Sequence, residues 1–135
     1  MSKEVFQQMS ANTLGESLGM DLVTLEKGFV EMTMPVDGRT HQPMGLLHGG
    51  ASVALAETVA SIGGTYLVMA DGQVVVGQEI NANHLKSMRS GFVRAKGQCI
   101  HQGKRSQVWE IKIYKDGTDE LVCISRCTLA VVSPQ

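Results

Sequence analysis

HGGASVALAETVASIGGTYLVMA, running from His48 to Ala70, is built almost wholly from small and aliphatic residues, and Glu57 is its one carboxylate. No lysine or arginine inside the stretch neutralises it. The spacing predicts a helix from Gly49 to Met69 that carries Val53, Glu57, Ala60, Ser61 and Gly64 along one face. The small residues on that face would let a sheet or a second copy of the helix approach closely. An isolated ionised carboxylate resists burial, so Glu57 either lies on a solvated stripe or points at a polar cleft, a partner or a reacting group. The residues around it are too uniformly small and apolar for a convincing solvated face. The segment is long enough to span a bilayer, but Glu57, four glycines and several Ser/Thr point to a packed helix of a soluble protein instead.

Upstream, Asp37 to Leu47 (DGRTHQPMGLL) has no period and reads as a loop feeding the helix. Met20 to Glu26 and Phe29 to Pro35 alternate around Lys27-Gly28, which predicts a hairpin or bent strand pair, and Lys3 to Ser17 reads as one short helix. After Asp71-Gly72 the period becomes two over Gln73–Leu85, Phe92–His101, Ser106–Lys115 and Leu121–Val132. Turn signals at Arg89-Ser90-Gly91, Gln102-Gly103 and Asp116-Gly117 separate them, so four successive antiparallel strands are expected. Trp109, Ile111 and Ile113 share one face and Glu110, Lys112 and Tyr114 the other. One long apolar helix and one consistently apolar sheet face give an α+β class, a curved antiparallel sheet wrapped around a central helix, in a single domain over residues 1–135.

A net charge of -1 on 135 residues argues against bulk nucleic-acid binding or a basic membrane surface. Cys99, Cys123 and Cys127 are odd in number, sit in apolar segments and read as buried free thiols. The N-terminus, MSKEVFQQMSANTLG, lacks the features of a secretory signal, so a cytoplasmic location is expected. His41, His48, His84 and His101 have no ligand spacing, so no metal is expected, and nucleophile-elbow, phosphate-loop and dinucleotide motifs are absent.

His48-Gly49-Gly50 stands where loop becomes helix. Backbone N–H groups there lack intrahelical partners and face outward at the positive end of the helix dipole, which suits a carbonyl oxygen or an oxyanion. A plain helix entry is the other reading. Glu57 lies two turns further on, too far to meet a carbonyl held at its own helix's start, so the geometry favours pairing with the N-terminus of another subunit. Ser61 is either a hydrogen-bonding partner of Glu57 or a small packing residue; Gln42 either orients a carbonyl or water, or is solvated. Between Leu85 and Trp109 there is no carboxylate, while Lys86, Arg89, Arg94, Lys96, Lys104 and Arg105 supply half of the chain's Lys and Arg. That asymmetry suits a polyanionic ligand such as nucleotide phosphates, or a solvated basic hairpin edge. Glu79 is a rival carboxylate, though structural pairing fits it better.

MPVDGRTHQPMGLLHGGASVALAETVAS, with GQEINANH and QVWEIKIY, resembles the hotdog-fold acyl-CoA thioesterases, in the branch that uses a helix-borne glutamate. The resemblance covers nearly the whole chain. It implies hydrolysis of an aromatic acyl-CoA thioester, of the 1,4-dihydroxy-2-naphthoyl or hydroxybenzoyl type, as in menaquinone synthesis. It implies Glu57 as nucleophile or general base, a thioester carbonyl polarised by the Gly49 N–H of the neighbouring subunit, Gln42 and His48 as positioning groups, and Ser61 holding the water. His84, Lys86, Lys104, Arg105 and Ser106 fall in the segments that contact coenzyme A. No separate cofactor is implied, coenzyme A being part of the substrate. The family joins two sheets into a dimer and pairs dimers into a homotetramer. Proofreading of aryl-carrier-protein thioesters and non-catalytic acyl-CoA binding are the competing functions.

Overall fold

The computed structural model describes residues 2–134 of the chain. Two short helices, α1 (Lys3–Ser10) and α2 (Leu14–Ser17), precede the hairpin β1 (Asp21–Glu26) and β2 (Phe29–Pro35). The long helix α3 (Gly49–Val68) follows, then β3 (Val74–His84), β4 (Phe92–Gln102), β5 (Ser106–Lys115) and β6 (Leu121–Val132). The one N-terminal helix expected over residues 3–17 is therefore two. Asn12 adopts φ 62 between them, a left-handed conformation that interrupts the helical run.

All six strands form one antiparallel sheet in the order β1-β2-β4-β5-β6-β3. The expectation of four successive strands needs one correction: β3 pairs with β6 at the sheet edge, not with β4. Residues 85–91 carry the chain past β6 and β5, and Leu85 N–H donates to Val122 O and Leu47 N–H to Met88 O on the way. A link of that length is not bound to the tight turn that forces neighbouring strands to pair.

One face of α3 lies on the sheet, with Leu55, Ala56, Val59 and Ala60 fully buried against Val30, Met32, Trp109 and Ile111. Gly63 and Gly64 set the closeness of that approach: a Cβ at Gly63 would overlap the Trp109 ring, and one at Gly64 would lie 2.6 Å from Leu129 Cδ1. Gln107, fully buried, accepts from Trp109 Nε1 at 2.8 Å and donates to Gly64 O at 3.2 Å. Such bonds contribute about 1 kcal/mol each, and they tie helix to sheet at one point. By length and composition α3 and its C-terminal turn could cross a membrane, alone among the described helices. Here they form the core helix of the sheet.

The stripe expected on α3 divides. Ala60 and Gly64 are buried against the sheet, whereas Val53, Glu57 and Ser61 flank it, half-buried. Strand β3 has its own irregularity: Gly77 pairs with Leu129 and Glu79 with Thr128, so Gln78 is an extra, bulged residue. The extra residue inverts the alternation, placing Ile80, Ala82 and His84 on the side of Cys127, Ser125 and Cys123, which faces the helix.

Candidate active site

The loop before α3 is fixed by its own hydrogen bonds. Asp37 and Arg39 form a two-point ion pair, and the guanidinium holds the Asp37 carboxyl down at about 2. Thr40 Oγ1 donates to Pro35 O at 2.7 Å, and His48 N–H donates to Thr40 O at 2.8 Å. His41 and Leu47 form an isolated bridge. Within this frame Gln42 Oε1 accepts from the backbone N–H groups of Met44 and Leu46. A backbone N–H only donates, so the inward atom is the oxygen and the Gln42 amide NH₂ remains to serve a ligand.

His48 caps α3. Its Nδ1 accepts from Gly50 N–H at 2.7 Å, so the ring is the neutral tautomer with its proton on Nε2. The first-turn donors can then be accounted for one by one. Gly50 N–H goes to His48 Nδ1, while Ala51 and Ser52 N–H go to His48 O at 3.0 and 3.2 Å. Gly49 N–H has no acceptor among the described residues. An unpaired N–H at the positive end of a 20-residue helix is a ready donor to a carbonyl oxygen. It opens into a cleft of about 340 Å³ lined by Gln42, Gly49, Ser52, His84 and Lys86, among others. His84 stands against Gly49, since a Cβ there would sit 2.8 Å from its Nε2.

Glu57 and Ser61 line a second, more open cleft of about 560 Å³ with Leu14, Val53 and Ile62. Leu14, Thr58, Ser61 and Ile62 also line a groove of about 370 Å³ beneath α1 and α2, where Phe6 and Met9 supply apolar surface. Sequence reasoning missed this contribution of the N-terminal segment, because only the fold brings Leu14 beside Ile62. Gly49 and Glu57 are eight residues apart on one helix, roughly 12 Å along its axis. One chain therefore presents a donor and a carboxylate in separate clefts. Glu79, the rival carboxylate, is exposed and accepts from Asn81 Nδ2 at 3.2 Å.

The basic segment also divides. Lys86 pairs with Glu120 at 3.0 Å, and Arg94 is held between Glu31 and Asp116, both at 2.8 Å. Arg89, Lys104 and Arg105 have no carboxylate in ion-pair range among the described residues. Lys104, Arg105 and Ser106 sit at the β4–β5 turn, beside the Ala130 end of β6, whereas His84 and Lys86 sit at its Cys123 end. Seven residues of strand, roughly 23 Å, separate the two groups within one chain. Among the described residues no three His, Cys, Asp or Glu side chains converge as a metal site. Cys123 and Cys127 are buried free thiols, and Cys99 is only half-buried.

Known proteins share this architecture. The sequence profile of the thioesterase superfamily matches residues 44–122. The chain is 52% identical to a 1,4-dihydroxy-2-naphthoyl-CoA hydrolase of Listeria monocytogenes, over 87% of this chain and 94% of that one. It is 50% identical to the proofreading thioesterase EntH of Cronobacter turicensis, over 98% and 95%. A Staphylococcus aureus thioesterase superposes with a TM-score of 0.84 at 40% identity, covering 88% of this chain and 98% of that one. That protein has been crystallised with a Gln→Ala and with a Glu→Ala substitution, at two positions separated as Gln42 and Glu57 are here. The chain belongs to the thioesterase superfamily and is a hotdog-fold thioester hydrolase.

Proposed function

We propose that the protein hydrolyses an aromatic acyl-CoA thioester, of the 1,4-dihydroxy-2-naphthoyl or hydroxybenzoyl type, to the free acid and coenzyme A. The observation that carries the reading is the unpaired Gly49 N–H on the helix that also bears Glu57, its one carboxylate, in a separate cleft. A thioester carbonyl accepts from Gly49 N–H, and charge developing on its oxygen in the tetrahedral transition state strengthens that bond. Gln42 NH₂ adds a donor in the same cleft, and His48 acts as a positioning group through its bond to Gly50 N–H at the helix start. Glu57 of the partner copy either takes a proton from the attacking water, or attacks the carbonyl itself to form a mixed anhydride as the thiolate leaves and is freed when water cleaves that anhydride; Ser61 holds the water in both routes. The carbon–sulfur bond breaks, the thiol leaves, and water supplies the acid's oxygen and both protons. Because the two groups are roughly 12 Å apart along one helix, the complete site takes two chains.

We extend the reading to one domain over residues 1–135, a cytoplasmic homotetramer built as a dimer of dimers, with sheets joined along the free edge of β3. His84 and Lys86 of one chain then meet coenzyme A together with Lys104, Arg105 and Ser106 of another. The 52% identity to a naphthoyl-CoA hydrolase supports the acyl class, and the 50% identity to a proofreading thioesterase favours a second reading, hydrolysis of aryl-carrier-protein thioesters. The test has two arms. Glu57→Ala should lower kcat by about 10²–10⁴-fold without unfolding the chain, and near-normal turnover would refute the assignment. A panel of benzoyl-, naphthoyl-, phenylacetyl- and fatty acyl-CoA with an aryl-carrier thioester then ranks kcat/KM, and a preference for the carrier substrate selects the second reading.

A further inference from the structure

We propose that Gly77 is a positioning residue for Glu57, reserving the space in which the carboxylate is held; this rests on the reading of Glu57 given above. Strand β3 passes the helix at Gly77, and a Cβ there would overlap Glu57 Oε2 and lie 3.1 Å from its Cδ. The three nearest heavy atoms to that Cβ all belong to Glu57. The buried glycines of the helix–sheet contact behave differently: Gly63, Gly64 and Gly97 abut Trp109, Leu129 and Val59, so they serve packing. Backbone conformation does not explain Gly77 either, because its φ is not among the positive ones. Glycine weakens a strand interior, and here it often marks a bulge or a close approach. Both apply, since Gln78 bulges immediately after it. The group that approaches is the carboxylate.

Glu57 ends in flexible torsions. A methyl at residue 77 therefore displaces the carboxylate and leaves the sheet in place. A displacement of about 1 Å at a reacting group costs on the order of 10²-fold in rate. Gly77→Ala should keep its fold, with a thermal midpoint equal to or above the parent's, and lose kcat about 10²-fold while KM stays within about threefold. Glu57→Asp withdraws the carboxylate by one methylene, so adding Gly77→Ala to it should cost little more, a non-multiplicative pair. Undiminished kcat in Gly77→Ala, or losses that multiply in the double variant, would overturn the proposal. If Gly77→Ala fails to fold, Gly77→Ala/Glu57→Ala has no carboxylate to collide with; a recovered fold supports the contact and continued unfolding overturns it. A fully active Glu57→Ala overturns the site reading and this inference with it. An inactive Glu57→Ala beside an undiminished Gly77→Ala overturns this inference alone.

Discussion

Gly49→Pro removes the backbone N–H at the start of α3 and puts a ring carbon in its place. Gly49 is the first residue of α3, a position where proline is favoured, and His48 before it is already extended at φ -68 and ψ 128. Its N–H has no acceptor among the described residues, so no structural hydrogen bond is lost. The new side-chain atoms do meet His84, whose Nε2 would lie 2.8 Å from the added Cβ. Gly49→Ala carries the same Cβ and keeps the N–H, so the ratio of the two variants reports the lost donor together with the ring carbon that takes its place. Removing one oxyanion-hole donor costs about 10²–10³ in kcat, or about 2.7–4 kcal/mol. Gly49→Pro should therefore turn over a CoA thioester at least about 10²-fold more slowly than Gly49→Ala, in a continuous assay of released thiol. Values within about threefold of each other would refute a role for this N–H.

The same variant tests the two-chain site. Equal co-expression of Gly49→Pro and Glu57→Ala gives dimers of which about half are mixed, each with one site holding an intact Gly49 and an intact Glu57. About a quarter of the parental kcat should return from two nearly inactive variants. A mixture no more active than its components would place donor and carboxylate in one chain.

Two further outcomes follow from the charges. Lys104→Ala/Arg105→Ala should raise KM for CoA esters several-fold with kcat nearly unchanged, because exposed cations that bind phosphates contribute to ground state and transition state alike; an unchanged KM in steady-state kinetics would remove both from the ligand. Cys127 has its thiol pushed up to about 11, chiefly by burial and then by Glu57 and Glu79. A raised folded pKa means that stability is fully present below an unfolded thiol's value near 9 and is lost as pH rises toward 11. Urea midpoints should fall over that window less steeply in Cys127→Ala, and parallel slopes would refute the linkage.

Much of this molecule is legible in its sequence because two periods differ so sharply. The run from Gly49 is dominated by small and aliphatic residues over the 20 residues of α3, and the later segments alternate over nearly the lengths that β4, β5 and β6 occupy. Partner choice is less legible, because alternation in β3 and β4 is compatible with several strand orders and nothing local says which edge closes over the helix. The basic segment misleads for a related reason. Lys86 and Arg94 look available in a stretch free of carboxylates, but the partners that engage them, Glu120, Glu31 and Asp116, come from other parts of the chain. Glu57 could be singled out by composition, because an unpaired carboxylate among small apolar residues is conspicuous wherever the helix packs.

The bulge at Gln78 is the feature with the largest consequence and the weakest sequence signal. Uninterrupted alternation from Val75 and Gly77 would turn Glu79, Asn81 and Asn83 toward the helix. Glu79 would then offer a second carboxylate beside Glu57, and like charges brought together resist simultaneous ionisation. One extra residue instead sends Glu79 to the opposite face, where Asn81 binds it, and puts His84 on the helix side of the strand, against Gly49. The same short segment thus keeps Glu79 off Glu57's side of the strand and brings an imidazole beside the Gly49 N–H. Deleting Gln78 would reverse both at once, whereas substituting it would leave the register, and with it the site, intact.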